Sequence, residues 1–232
     1  MKYRVEKKYI VSDATLKVLN ARLQAVLPSD THQSGSCYTV RSLYFDDAWD
    51  SGMDENEAGI NIRKKFRIRH YDSNAEYFKL EIKEKNNGYT SKESCLINRG
   101  TYHGIINEDM QILKCSDKAF NQLYVEIKTK LLRPKVIIEY ERTAYVYPAG
   151  NVRITFDRNI SASSCCEDFL NPHLTKQTPV LPQGMHVLEV KYDEMLPDFI
   201  AQLLEVGNLQ QTAFSKYYLG RKAVSGEFLI DC

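Results

Sequence analysis

The stretch "NIRKKFRIRHY", residues 61–71, alternates between charged and apolar side chains. The cations recur at every second position, as Arg63, Lys65, Arg67 and Arg69, and apolar residues fill most positions between them, as Ile62, Phe66 and Ile68. Because successive side chains of a β-strand point to opposite faces, the four cations are predicted to share one face. The stretch is therefore either an amphipathic strand with its cations in water or one wall of an anion-binding site.

The same alternation occurs in four further stretches, which include "KYRVEKKYI", "FKLEIKEK", "VRITFD" and "VLEVKY". Across the five predicted faces we count eleven cations: Arg4, Lys8, Arg63, Lys65, Arg67, Arg69, Lys79, Lys83, Lys85, Arg153 and Lys191. The same faces carry four acids: Glu6, Glu81, Asp157 and Glu189. Since the whole chain has a net charge of only +1, basic residues are concentrated on these faces and depleted elsewhere.

Such a bias in sign favours a multiply charged anion as a ligand. An open sheet with one wet face would also alternate, but its wet face would normally mix the two signs, since like charges directly opposite each other are destabilising. Two like charges about 4 Å apart repel by about 1 kcal/mol even in water. We therefore interpret the faces as a site for an anion of polyphosphate size. The few acids either pair with neighbouring cations or hold a hard divalent ion such as Mg²⁺ or Mn²⁺.

Composition excludes several classes of protein. The chain has 232 residues, of which 43% are hydrophobic and 26% charged, and this is typical of a globular protein. The low net charge argues against a non-specific nucleic-acid coat, and no apolar run is long enough for a transmembrane segment. The six cysteines form no CxxC pair, which favours reduced thiols and a cytoplasmic location. No linker divides the sequence, so we expect one domain over residues 1–232.

Periodicity predicts an α+β fold with eight largely antiparallel strands. The predicted strands cover about residues 2–11, 37–45, 60–71, 76–85, 89–97, 135–147, 151–159 and 186–194. Helices are predicted in residues 12–27, with Ser12 or Asp13 as N-cap, and in residues 99–131, 195–207 and 214–224, with a short helix between 46 and 59. Eight strands are enough to close a barrel.

Eight segments together resemble a known family. They are "YRVEKKYI", "SLYFDD", "RIRHY", "FKLEIKEK", "YERTAYV", "VRITFD", "VLEVKY" and "FSKYYLG", in this order from about Tyr3 to Gly220. This series is similar to the VTC domain, the polyphosphate polymerase domain of vacuolar transporter chaperone proteins, within the CYTH/triphosphate tunnel superfamily. The resemblance implies a closed eight-stranded antiparallel β tunnel with flanking helices and with the cations inside.

The resemblance also implies roles for individual residues. Catalytic contacts to phosphate would fall on Arg67, Arg69, Lys83, Arg142 and Arg153. Further substrate-binding cations would be Lys8, Lys79, Lys216 and Lys191, and the metal, Mn²⁺ or Mg²⁺, would bind Glu189 with Glu6. Arg142 alternates with Tyr140 rather than with Glu139 and Glu141, so either these acids face outward or a bulge intervenes.

The implied activity is transfer of the γ-phosphate of ATP onto a polyphosphate chain by a metal-dependent phosphotransferase. The alternatives are hydrolysis of tripolyphosphate or a nucleoside triphosphate, a non-catalytic module that binds polyphosphate or a nucleotide, and an RNA-binding surface. Arg4 stands where the superfamily's ExExK signature has its first acid, which favours polymerisation over hydrolysis. The expected partners are ATP and polyphosphate or triphosphate without a specific nucleic acid, and a membrane-protein partner is left open.

Overall fold

The computed structural model of the chain describes residues 4–31, 33, 35–72, 77–86, 89–109, 117–207 and 209–226. Residues 73–75 and 87–88, which lie between predicted strands, residues 110–116 of the predicted helical segment 99–131, and Cys232 lie outside these ranges. The chain divides into two compact units. The first unit comprises Met1–Thr39, Glu139–Ser161 and Pro179–Ser215, and the second comprises Val40–Ile138, Ala162–Thr178 and Lys216–Cys232. The single domain over residues 1–232 remains a prediction.

Within the described ranges all eight predicted strands are present, and Thr178–Pro179 form a ninth strand. The strands are β1 (Arg4–Ser12), β2 (Tyr38–Asp46), β3 (Arg63–Tyr71), β4 (Tyr77–Asn86), β5 (Tyr89–Asn98), β6 (Arg133–Tyr147), β7 (Val152–Ser163), β8 (Thr178–Pro179) and β9 (Met185–Asp193). The predicted strand boundaries therefore differ from the observed ones by only a few residues.

The helices also follow the predictions. They are α1 (Asp13–Val26), α2 (Ser51–Glu57), α3 (Arg99–Ile106), α4 (Lys118–Lys130), α5 (Asp198–Leu203) and α6 (Lys216–Ser225). Ser12 is the N-cap of α1, and its hydroxyl accepts a hydrogen bond from the backbone N–H of Thr15 at 3.3 Å. This bond satisfies one of the amide donors that a helix start leaves free.

The strands form an antiparallel sheet in the order β1-β9-β7-β6-β2-β3-β4-β5, with β8 beside β7. This order is a path with ends at β1 and β5, so within the described ranges the sheet is open. The prediction of an antiparallel α+β fold with flanking helices is confirmed, whereas closure and the count of eight strands were wrong. Alternation identifies the polar face of each strand, but it carries no information about which strands meet at the ends of a sheet.

The apolar face of "NIRKKFRIRHY" lies in the core of the second unit. Phe66 and Ile68 of β3 are buried there together with Leu80 and Ile82 of β4. The same core contains residues of two helices: Tyr102 and Ile105 of α3 and Ala119, Phe120, Leu123 and Ile127 of α4. The apolar face of β3 therefore packs under helices, and the cations are on the opposite face.

The first unit has a separate core built on the same plan. Leu16, Leu19 and Leu23 lie on one side of α1, at the helical spacing that the sequence predicted, and all three are buried. They belong to one cluster with apolar residues of β7 and β9, namely Ile154, Phe156, Leu188 and Val190. In each unit, therefore, helices cover the apolar side of the strands.

Gly220 allows α6 to approach the strands of the second unit closely. A Cβ atom at this position would lie 2.1 Å from Cδ1 of Ile138 and 3.4 Å from Cβ of Ala162. Ile138 and Ala162 are fully buried, so neither has free space into which it could move. The place of α6 thus depends on the absence of a side chain at Gly220.

We expect Gly220→Ala to lower the free energy of unfolding by about 1–3 kcal/mol, because the added methyl group overpacks a filled core. Chemical denaturation measures the change. Gly100→Ala in α3 is the matched control, since a Cβ there meets only Oδ1 of Asn98, at 3.4 Å. Equal stability of the two variants would contradict the close packing of α6.

Candidate functional site

Strands β3 and β4 present a face of seven cations and one carboxylate, which we call the basic face. Its members are Arg63, Lys65, Arg67, Arg69, Lys79, Glu81, Lys83 and Lys85. The register places like charges directly opposite each other in three pairs: Arg63 with Lys85, Lys65 with Lys83, and Arg69 with Lys79. Such pairs destabilise a sheet, so the sign bias that the sequence indicated is present on these two neighbouring strands.

Glu81 is the acid of the basic face, and it binds three cations. Its Oε2 accepts a hydrogen bond from Nε of Arg67 at 2.7 Å and lies 3.7 Å from Nη1 of Arg69. Its Oε1 forms an ion pair with Nζ of Lys92 on β5. The Glu81 side chain is only 1% exposed, so this carboxylate provides a buried negative charge at the centre of the basic face.

The pKa of Glu81 reflects these contacts. Burial acts to raise the pKa, but the positive charges of Arg67, Arg69 and Lys92 outweigh it and hold the pKa well below the usual range of a glutamate. Glu81 is therefore ionised at neutral pH and partly compensates the charge of its neighbours.

Strand β2 supplies hydroxyl groups that orient the two arginines. Nη1 of Arg67 donates to the hydroxyl of Tyr44 at 2.9 Å, and Nε of Arg69 donates to Oγ of Ser42 at 2.9 Å. Burial acts to raise the pKa of Tyr44, but the charges of Arg67, Arg69 and Lys216 contribute to a net lowering. With Glu81 on one side and β2 on the other, both guanidinium groups are held in fixed orientations.

Lys92 also contacts Glu81, and it was not among the site residues predicted from the sequence. It lies opposite Lys83 in the β4–β5 register, and its ammonium group reaches Glu81. Lys92 was difficult to predict because "TSKES" is polar at every position, and its pattern does not show which side chains point to the charged face.

The first unit carries a second charged face, on β1, β9 and β7, which we call the mixed face. Opposite residues in the register include Glu6 with Lys191, Lys8 with Glu189, and Arg153 with Lys191. Nζ of Lys8 lies 3.0 Å from Oε1 of Glu6, and Nζ of Lys191 lies 2.9 Å from Oε1 of Glu189. Here each cation has a nearby acid, in contrast to the basic face.

Arg142 of β6 also belongs to the mixed face, which resolves the question of its parity. Its Nε and Nη2 donate to the two carboxylate oxygens of Asp157, at 2.6 and 2.8 Å, and Nη2 lies 3.9 Å from Oε2 of Glu189. Glu141 instead pairs with Arg158, at 3.2 Å. Glu141 therefore points to the face opposite that of Arg142, and no bulge is needed.

The remaining predicted cations have other surroundings. Nζ of Lys8 also donates to the backbone oxygen of Phe214 at 2.8 Å. Nη2 of Arg153 lies 2.8 Å from Oδ2 of Asp30 and donates to the hydroxyl of Tyr38 at 3.1 Å. Lys216 is the first residue of α6, in the second unit. The predicted set thus falls into Arg67, Arg69, Lys79, Lys83 and Lys216 in the second unit and Glu6, Lys8, Arg142, Arg153, Glu189 and Lys191 in the first.

Few side chains in the described ranges could serve as ligands of a divalent metal ion. No group of three or more His, Cys, Asp or Glu side chains suited to a metal occurs among the described residues. The buried hydroxyl of Thr155 lies on the strand position opposite Glu189 and has no hydrogen-bond partner among the described residues. A carboxylate with a neighbouring hydroxyl suits Mg²⁺ or Mn²⁺ when phosphate oxygens and water complete the shell. Glu189 has such a hydroxyl on the strand position opposite it, and its Oε1 lies 2.9 Å from Nζ of Lys191. Both oxygens of Glu6 lie within 3.6 Å of a lysine.

Comparison with known proteins decides the family. The family model of the VTC domain matches residues 3–225. The chain belongs to the VTC domain family. The resemblance recognised from the eight sequence segments is thereby confirmed, because the match spans nearly all of the chain.

One solved structure shows a similar fold at low sequence identity. A protein from Bacillus halodurans titled "putative adenylate cyclase" has a TM-score of 0.56 at 13% identity, with 92% of this VTC domain and 94% of that chain covered. The PH1819 protein from Pyrococcus horikoshii OT3 has a TM-score of 0.44 at 11% identity, with 91% and 95% covered. No curated protein matches the sequence significantly. In the described ranges, no helix has the length and apolar character needed to cross a membrane.

We expect Glu81→Gln to lower the free energy of unfolding by about 3–5 kcal/mol at pH 7, because it leaves the buried Arg69 and the partly buried Arg67 without their counter-charge. A glutamate with a lowered pKa stabilises the fold fully above its unfolded pKa, about 4.3, and this stabilisation is lost as the pH falls through the folded value. The difference between variant and wild type should therefore shrink from pH 7 towards pH 2.

Denaturant unfolding at several pH values measures this difference. Glu84→Gln is the control, since Glu84 is on the same strand but on the opposite face. Parallel pH profiles for the wild type and Glu81→Gln would show that Glu81 is not the counter-charge of the basic face.

Proposed function

We propose that this VTC domain is a polyphosphate polymerase, a phosphotransferase that moves the γ-phosphate of ATP onto the end of a polyphosphate chain with Mn²⁺ or Mg²⁺, and that it acts in the cytoplasm. The basic face is the observation that carries the proposal. Seven cations and one buried acid lie on one face of two adjacent strands, which suits a multivalent anion as ligand, and family membership indicates which anion.

The chemistry suits the residues on these strands. Phosphoryl transfer requires alignment of the reactants and neutralisation of charge more than it requires covalent catalysis. The terminal phosphate of the acceptor chain is already an ionised nucleophile. A protein nucleophile is therefore unnecessary, and arginines and lysines placed along the substrate suffice.

We assign the arginines to phosphoryl oxygens, since the guanidinium fork matches their geometry. Arg67 and Arg69 are held from behind by Glu81 and β2, which orients them before the substrate binds. Arg142 is engaged with Asp157 through Nε and Nη2, so its remaining N–H groups would reach the substrate, and Arg153 would add a fourth guanidinium.

The lysines would act as point charges along the phosphate chain. These are Lys8, Lys79, Lys83, Lys191 and Lys216, to which the structure adds Lys92 as a candidate. Glu189, with Glu6 as a more distant contributor, would hold the divalent ion, which would neutralise phosphoryl oxygens and polarise the bond to the leaving group. With the metal so placed, Thr155 would contribute its unpartnered hydroxyl.

Hydrolysis in the same site is the principal alternative, and the surroundings of the N-terminal strand argue against it. Glu6 is already paired with Lys8 and Lys191, and Arg4 lies 3.8 Å from Asp193 and donates to the backbone oxygen of Asn151. Neither residue offers the acid-rich metal site of a hydrolytic triphosphatase. A silent binding module would keep the cations but would show no turnover.

We expect the chain to convert ATP into long-chain polyphosphate in the presence of Mn²⁺, and we expect Arg67→Ala to lower the rate at least 100-fold, since an oriented charge at the reacting phosphate is lost. Gel electrophoresis of the product measures the rate. Arg67→Lys, which keeps a cation beside Glu81, should retain more activity than Arg67→Ala.

Arg158→Ala is the matched control, because Arg158 is a half-buried arginine paired with a glutamate away from the proposed site. Release of orthophosphate without chains would identify a hydrolase, and tight binding of tripolyphosphate without turnover would identify a binding module. Equal product from wild type and Arg67→Ala would refute the site assignment.

A further inference from the structure

Asp46, at the end of β2, has a carboxylate that several groups of the second unit share. Its Oδ1 accepts hydrogen bonds from the backbone N–H groups of Asp47 and Gly52, both at 2.9 Å, and its Oδ2 accepts from that of Met53 at 3.1 Å. A side chain at position 52 would not fit, since a Cβ there would lie 2.9 Å from Oδ1 of Asp46. Asp46 thus fixes the start of α2 to the end of β2.

Tyr217 of α6 is the other partner of Asp46. Its hydroxyl donates to Oδ2 of Asp46 and accepts from Nη1 of Arg221 at 3.1 Å. Nη1 of Arg221 also binds Oδ1 of Asp50 at 2.8 Å, and Lys135 lies 2.9 Å from the same oxygen. Burial, together with the charge of Asp46, raises the pKa of Tyr217 well above its usual value, so the hydroxyl keeps its proton and acts as the donor.

The ring of Tyr217 contacts residues of the basic face or their supports. It packs against the ring of Tyr44, with centroids 5.5 Å apart, and Nζ of Lys65 lies 5.7 Å from its centroid. Tyr44 in turn accepts the hydrogen bond from Arg67. A continuous series of contacts therefore leads from Asp46 through Tyr217 and Tyr44 to Arg67, and Lys216 is the chain neighbour of Tyr217.

We propose that Asp46 and Tyr217 are positioning residues for phosphoryl transfer: their hydrogen bond fixes the ring that supports Tyr44 and Lys65, and it sets the place of Lys216 at the start of α6. This inference rests on the proposed function, in which Arg67 and Lys216 contact the substrate. Neither Asp46 nor Tyr217 is assigned a contact with substrate. Their effect is on the orientation of the cations. The rate of phosphoryl transfer is sensitive to this orientation, because a small displacement of a catalytic group lowers the rate by a large factor.

Tyr217→Phe tests the inference, since it removes one hydroxyl and keeps the ring. We expect kcat for polyphosphate formation to fall about tenfold while KM for ATP changes less than about twofold, because orientation rather than binding is lost. Tyr218→Phe is the control on the next residue, whose hydroxyl bonds to Glu57 at 3.0 Å, and it should stay within about twofold of wild type.

Two further variants separate positioning from general stability. Asp46→Asn combined with Tyr217→Phe should lower kcat by less than the product of the two single losses, because both changes affect the bond between Asp46 and Tyr217. Tyr44→Phe removes the acceptor for Arg67 at the other end of the series and should lower kcat in the same way. All rates are measured well below the unfolding midpoint of the least stable variant, so unfolded protein does not contribute.

The outcomes distinguish this inference from the proposed function. If wild type makes no polyphosphate, the proposed function fails and the positioning role fails with it. If wild type is active, Arg67→Ala is inactive and Tyr217→Phe matches wild type in kcat, only the positioning role is overturned. Additive losses in the double variant, or a change in KM alone, would also overturn it.

Discussion

The fold of the second unit depends on how like charges are accommodated on β3 and β4. Three cross-strand pairs of cations face each other, and one buried carboxylate, Glu81, stands among them. Without Glu81 the arginines would repel each other in a half-buried setting where water screens poorly. The hydroxyl groups of β2 then fix the direction in which Arg67 and Arg69 point. The apolar face of the same strands supplies the burial that holds this charge in place.

The two units differ in how their charged side chains are paired. On the mixed face, each cation has an acid as neighbour, and the bidentate pair of Arg142 with Asp157 is fully buried. On the basic face, cations outnumber acids, so a bound anion would be stabilised more strongly there than on the mixed face. The charge count over the five predicted strands combined the two faces. A count of charges does not show which acid lies beside which cation, so it could not reveal the difference between them.

Local patterns predicted most of the fold because strands and helices are set by side-chain periodicity. Alternation in "NIRKKFRIRHY" identified β3 and its buried side, and the leucine spacing of α1 identified its packed face. Contacts between distant parts of the chain were not predictable in this way. The Asp46–Tyr217 bond joins residues 171 positions apart, and nothing in either segment alone indicates the other. The prediction of a closed sheet was wrong for the same reason, because closure depends on a contact between the two terminal strands, β1 and β5.

The buried carboxylate of the basic face also has a consequence for ligand exchange. In the proposed function, a phosphate that approaches Arg67 would meet a guanidinium that already has an anionic partner, Glu81. Binding would then replace or share an internal counter-ion rather than displace only mobile ions from solution. Fewer ions are then released on binding than the number of cations would suggest, and the affinity should vary less with salt than that of an open basic surface. In the proposed function, Glu81 would thus act as a tethered competitor that favours ligands with several phosphates over those with one.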